Sequence, residues 1–265
     1  MIFFITFLRA LAACLITNAH YTGIYPTDLI ANGGLLGDVL LFAVSGYCLF
    51  YVKYPLSVSG FGRWYGRRVL RVYTPVLIMT VVFMIIGRYR LSNDQGVFWW
   101  YVYPTYYHFV SSILILYIPF FFIMKIPALR GRLPLIMIIL AGIWMLLYWT
   151  VYDRSFYHID SVHELMIRLL FLESMLLGSW FRQHDGELRN RFSWSGLTGT
   201  VILLIVYFAS KLLFSGRAAL APLQFVNQFA IFALLYFLFR MFSGLDAQLE
   251  KLPVPVKRVI QLFLI

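Results

Sequence analysis

Followed for its apolar and polar positions, the chain resolves into eight long apolar runs, at about 5–24, 35–52, 70–88, 107–125, 133–151, 164–181, 197–214 and 219–241. Each is near the length of about 20 residues that a helix needs to cross a hydrocarbon core of about 30 Å. None reads as a ten-residue strand of alternating polarity, which argues against a β-barrel. Short segments join the runs. The first carries Gly23, Pro26, Gly33 and Gly34, a turn that brings the second run back beside the first. The pattern predicts an all-α, polytopic transmembrane helical bundle forming one integral-membrane domain over residues 1–265. Past the eighth run the chain turns through Pro253 and Pro255 and stops in the apolar stretch Arg258–Ile265. That stretch reads either as the start of a further span, in a truncated chain, or as a segment lying in the interface.

Composition agrees with the pattern. Of 265 residues, 62% are hydrophobic and 12% charged, where a soluble domain has about 45–50% and about 25%. Mean hydropathy is +0.81. The net charge of +11 comes from 22 Lys and Arg against 11 Asp and Glu. In a soluble protein it would suggest nucleic acid; here the distribution explains it. Fifteen basic residues fall in the loops of one side and five in those of the other. The positive-inside rule then puts the N-terminus and the basic loops in the cytoplasm. Cys14 and Cys48 lie inside apolar runs, so no disulfide framework is implied. Leu-Ala-Ala-Cys14 resembles a lipoprotein cleavage box, but no basic region precedes it and Arg9 interrupts it, so it reads as part of a span.

Polar residues inside the runs are the candidates for chemistry. Arg9 and His20 are eleven residues apart, within about 20° of three full helical turns, and so share one stripe about 16 Å long. A span that keeps two ionisable groups on one stripe is hiding it from lipid; the alternative is that Arg9 snorkels to one surface and His20 packs at the other. His20 falls toward the outer half of the membrane and Arg9 toward the inner edge. Asp38 enters the second run from the same side as His20, placed to orient or charge an imidazole. Asp38 and Ser45 share a face, and Ser45 with Gly46 permits close helix approach. Arg67, Arg68 and Arg71 form a compact basic surface at the cytoplasmic opening of the third run. It reads as a phosphate-docking site or as topology signal with headgroup contacts. Glu173, near mid-membrane, needs a partner, with Arg9 one candidate. Asn227 and Gln228 suit interhelical hydrogen bonds. The aromatic segment Phe98–His108 reads as an interfacial belt, with sugar stacking the sharper alternative. Asp153, His158, Asp160, His163 and Glu164 read as a solvated loop and not a metal site. Phosphate-binding, dinucleotide, nucleophile-elbow and zinc-protease motifs are all missing.

Taken together these segments resemble one family. Arg9 followed by ten residues and His20 is similar to the first-helix motif of the acyltransferase-3 membrane acyltransferases. Asn32-Gly-Gly through Phe42-Ala-Val-Ser45-Gly46-Tyr47 resembles their second-helix segment. Arg68-Val-Leu-Arg71-Val-Tyr-Thr-Pro75 resembles their Arg-x-x-Arg motif, and Tyr103-Pro-Thr-Tyr-Tyr107 the approach to the fourth helix in members that acylate polysaccharides. The resemblance implies about ten spans in a complete protein of the bacterial inner membrane. It also implies O-acylation, commonly O-acetylation, of a surface glycan with acyl-coenzyme A as co-substrate and no resident cofactor. On that resemblance Arg68 and Arg71, with Arg67, hold the donor's phosphates. His20 is the catalytic residue, as general base or as transient acyl carrier, with Arg9 and Asp38 setting its charge. Ser45, Gly46 and Glu173 serve substrate or structure. Two other classes compete. One is a transporter or flippase for a glycan or small metabolite, with Arg9, His20 and Glu173 as its path; the other is an assembly subunit.

Overall fold

The computed structural model describes residues 3–26, 30–88, 108–151, 164–188, 194–214, 220, 222–223, 225–249 and 251–256. Among them every regular element is helical. The helices are α1 (Phe3–Ala19), α2 (Gly34–Leu49), α3 (Val58–Ile85), α4 (His108–Lys125), α5 (Pro127–Arg130), α6 (Leu133–Thr150), α7 (Glu164–Gln183), α8 (Asp185–Leu188), α9 (Trp194–Phe214) and α10 (Phe225–Leu249). Each expected apolar run has its helix, and the structure is an all-α membrane bundle. The segments 98–107, 153–163 and 257–265, to which the sequence assigned an aromatic belt, a polar loop and a terminal apolar stretch, lie outside the described residues.

Two boundaries differ from the hydropathy reading. The third helix starts at Val58, not near residue 70, because Ser57 caps it with its Oγ accepting from Gly60 N at 3.0 Å. The arginines before residue 70 therefore sit on a helix and not in a loop. The last helix begins at Phe225 and not near 219. By length and composition α3, α6 and residues Phe225–Gly244 of α10 are each long and apolar enough to cross a membrane. Within α1, α2, α4 and α9 the apolar stretches are 10–17 residues long, or about 15–26 Å.

The residues fall into two compact units, Met1–Phe50 with Arg132–Ile265, and Tyr51–Gly131. In the first, α2 lies between α1 and α7 and is buried nearly all round, from Leu35 to Phe50. A helix hydrophobic on every side belongs in the middle of a bundle. Glycine makes its seam with α7 close. A Cβ at Gly46 would run into the Met175 carbonyl, and one at Gly178 into the Ala43 carbonyl. Ser179 Oγ donates across the seam to Gly46 O at 3.0 Å. Above the glycines Phe42 and Phe171 stack, centroids 4.2 Å apart. Close backbone approach, not hydrophobic transfer, is what holds helices together in lipid. In this way α7 carries Arg168, Glu173 and Arg182 yet has Leu170–Ser179 buried throughout. Further contacts place α6 on α7, α9 on α10, and α10 against α7 and α1. In the second unit α3 packs on α4 through Trp64, which meets Tyr117 and Phe121 with centroids 5.6 and 5.1 Å away.

Candidate active site

The first helix ends at Ala19, so His20 is the first residue beyond it, still tied to the last turn by its N–H donating to Thr17 O at 3.1 Å. It is exposed. The turn that follows is held by a residue to which the sequence reading gave no role. Asn18 Nδ2 donates to Ile30 O at 2.7 Å and Asn32 O at 3.0 Å, and Asn18 Oδ1 accepts from Tyr25 Oη at 2.7 Å. Asn32 Oδ1 accepts from Gly33 N at 2.7 Å, and Gly33, at φ 105°, takes the left-handed conformation that starts α2. A short amide at the close of a helix was the available signal, because such side chains satisfy loose backbone groups there.

Register between α1 and α2 then places Asp38. Gly34 meets Ala19, and Gly37 lies against Ala12 O and Ile16. Asp38 is four residues into α2 from that first contact, about 6 Å deeper than the level of Ala19. Arg9 is exposed and donates from Nη2 to Cys48 Sγ at 3.3 Å, so it reaches toward the far end of α2. Both cysteines are free. The expected Arg9–Glu173 pair does not form. Glu173 points instead into a cavity lined from α6, α7 and α10, and its Oε1 has no hydrogen-bond partner among the described residues.

A second cluster, also unanticipated, lies at the C-terminal ends of α2 and α7. Tyr47 Oη donates to Asp185 Oδ1 at 2.8 Å, and Arg182 Nη1 donates to Tyr47 Oη at 3.0 Å. Arg182 Nη1 and Asp185 Oδ2 form an ion pair at 3.2 Å, with the guanidinium 5.1 Å from the Tyr47 ring centroid. Of the Ser45-Gly46-Tyr47 segment, Gly46 thus makes the close crossing and Tyr47 ties the ends of the same two helices. Ser45 is half-buried.

The second unit carries the remaining candidates. Arg67, Arg68 and Arg71 lie within about one turn of α3. Arg67 rests 5.6 Å from the Tyr54 ring centroid and Arg68 5.9 Å from that of Trp64. Both are within cation–π distance of a ring. Arg68 is half-buried; Arg67 and Arg71 are exposed. Residues 51–88 and 108–131 hold Lys53, Arg63, Arg67, Arg68, Arg71, Arg88, Lys125 and Arg130, and not one Asp or Glu. Guanidinium forks at this spacing, with no carboxylate in the same segments, suit an anion carrying several phosphate oxygens.

Comparison with known families decides the class. A family model described as an acyltransferase domain, of the acyltransferase-3 type, matches residues 2–255. The chain belongs to the acyltransferase-3 family. It is a membrane acyltransferase, and its Arg9, His20, Ser45–Tyr47 and Arg68–Arg71 segments all lie inside the matched range. No curated protein and no solved structure matches this acyltransferase. Among its described residues no group of three or more His, Cys, Asp and Glu is placed to hold a metal ion.

Proposed function

We propose that this acyltransferase moves an acyl group, most simply acetyl, from acyl-coenzyme A to a hydroxyl of a bacterial surface polysaccharide, working in the inner membrane with its N-terminus in the cytoplasm. Arg68 and Arg71, with Arg67, take the phosphates of the donor. His20 acts as general base: its free ring nitrogen accepts the proton of the sugar hydroxyl while that oxygen attacks the thioester carbonyl. The carbon–sulfur bond then breaks, and the departing thiolate takes a proton, from the imidazolium or from water, to leave free coenzyme A. Asp38, about one turn below the end of α1, orients the imidazole, and Asn18 holds the turn that presents it.

The observation that carries this reading is the row of three arginines along about one turn of α3, with Arg67 and Arg71 exposed, in a chain whose family transfers acyl groups. An anionic donor carrying several phosphate oxygens suits such a surface. The test is mass analysis of surface polysaccharide from cells carrying either the wild-type chain or His20→Ala at equal membrane abundance. Acylated sugar in the first and bare sugar in the second is the expected result. Acyl groups retained in His20→Ala, with glycan export altered, would overturn it in favour of transport.

A further inference from the structure

A cavity of about 330 Å³ lies inside the first unit, between α6, α7 and α10. Its body is apolar. Along α6 it runs past Pro134, Met137, Ile138, Ala141 and Trp144, a length of ten residues or about 15 Å. Each of the three helices adds one polar group: Trp144 from α6, Glu173 from α7 and Gln228 from α10. All three residues are more than nine-tenths buried, at 5%, 7% and 5% exposure. Trp144 Nε1, Glu173 Oε1 and both polar atoms of the Gln228 amide have no hydrogen-bond partner among the described residues. A buried polar group left unmatched costs about 1–3 kcal/mol, and three in one cavity mark a place where something else completes them.

The surroundings narrow what that is. Ile138 and Phe229 line the cavity and are also exposed, at 68% and 44%, on apolar helices of a membrane bundle. The cavity therefore adjoins the lipid-facing surface. No basic residue is among its described lining residues, so an anionic head finds no counter-charge among them. An ion entering sideways from hydrocarbon would also pay the cost of crossing it. Water alone is a poor occupant, since each molecule needs two to four polar partners and most of the wall offers none. An elongated apolar body with one uncharged end that both donates and accepts hydrogen bonds matches on every count. The size falls within the range of ligand pockets, about 300–1,000 Å³.

We infer that the α6–α7–α10 cavity is a binding site for a single-chain membrane lipid with an uncharged, hydrogen-bonding end, the hydroxyl of a long-chain alcohol being the simplest case, held by Glu173, Gln228 and Trp144. The site stands apart from the acyl-transfer reading and does not rest on it. It is entered from the bilayer, and its occupant ties α6 to α7 and α10 through groups that have no hydrogen-bond partner among the described residues.

The test uses the full chain in nanodiscs of phosphatidylcholine and phosphatidylglycerol, labelled with a photoreactive dodecanol and mapped by mass spectrometry. Label is expected on residues of α6 and α10. Unlabelled dodecanol should displace it about tenfold better than dodecane, the equivalent of one hydrogen bond of about 1.4 kcal/mol. Gln228→Leu should lower labelling by a similar factor. Ala141→Phe, which fills the space from α6 and leaves every polar group in place, should abolish it with helix content unchanged. Equal displacement by dodecane, or undiminished label in Ala141→Phe, would overturn the site and leave a packing void or a few waters. The competition on wild-type protein stands even where a variant fails to insert.

Discussion

Two groups of arginine in this acyltransferase sit in opposite circumstances. Arg182, at the end of α7, is matched at once: Asp185 takes its charge at 3.2 Å and Tyr47 accepts a further hydrogen bond at 3.0 Å. On α3, Arg67 and Arg68 lie beside the Tyr54 and Trp64 rings, and Arg67 and Arg71 are exposed. The same side chain serves two ends. A guanidinium paired inside the protein ties helices together; a row of them along one helix turn, mostly exposed, suits an anion that arrives from outside. Charge alone therefore does not identify a site; the setting of each guanidinium does.

The contrast breaks first, and most severely, at the seam that the matched arginine closes. Gly178→Ala puts a methyl onto the Ala43 carbonyl, and backbone cannot step aside as a side chain does. A loss of about 3 kcal/mol or more is expected, seen as collapse of folded yield in detergent and loss of activity together. A near-normal melting temperature would mean that the α2–α7 crossing is looser than described. Next in size, Arg68→Ala with Arg71→Ala should raise the KM for the acyl donor about a hundredfold, at about 1.5 kcal/mol for each lost charged hydrogen bond, with melting temperature unchanged. Replacing both should also flatten the salt dependence that an exposed cationic surface shows.

Asp185→Ala should do the reverse. It removes the acceptor of both Tyr47 and Arg182, lowers stability by about 1–2 kcal/mol, and leaves the donor KM within about twofold. A large rise in donor KM here would merge the two clusters into one functional surface. Smallest is Arg68→Lys, which keeps the charge but not the planar fork or its stacking on Trp64. A rise in donor KM of about threefold to tenfold is expected, at about 1 kcal/mol.

Much of the fold can be read directly from hydropathy, because a helix crossing lipid must be apolar over nearly its whole length. The start of α3 is not readable that way. Ser57 caps it about thirteen residues before the apolar run, and capping depends on one hydroxyl and not on a window average. Gly46 and the α3 arginines were visible, being local features of single helices, whereas His20, expected on one hidden stripe of the first helix with Arg9, lies one residue past its end and both side chains are exposed. What joins distant parts of the chain was not. Tyr47 and Asp185 are 138 residues apart, and the partner glycine of Gly46, Gly178, has nothing in its own neighbourhood to announce it. Glu173 was recognised as needing a partner, yet Arg9 was the wrong one. Its neighbours around the cavity, Trp144 and Gln228, come from other helices, and although Gln228 was noticed as polar nothing local tied it to Glu173.

The arginine contrast is tested most directly by the affinity of coenzyme A for the full chain in nanodiscs, titrated against wild type, Arg68→Ala with Arg71→Ala, and Asp185→Ala. Binding weakened about a hundredfold in the first variant and unchanged in the second is the result expected, at about 1.4 kcal/mol for each factor of ten. Equal affinity in all three proteins would contradict it, for the donor would then be held by something other than the arginines of α3.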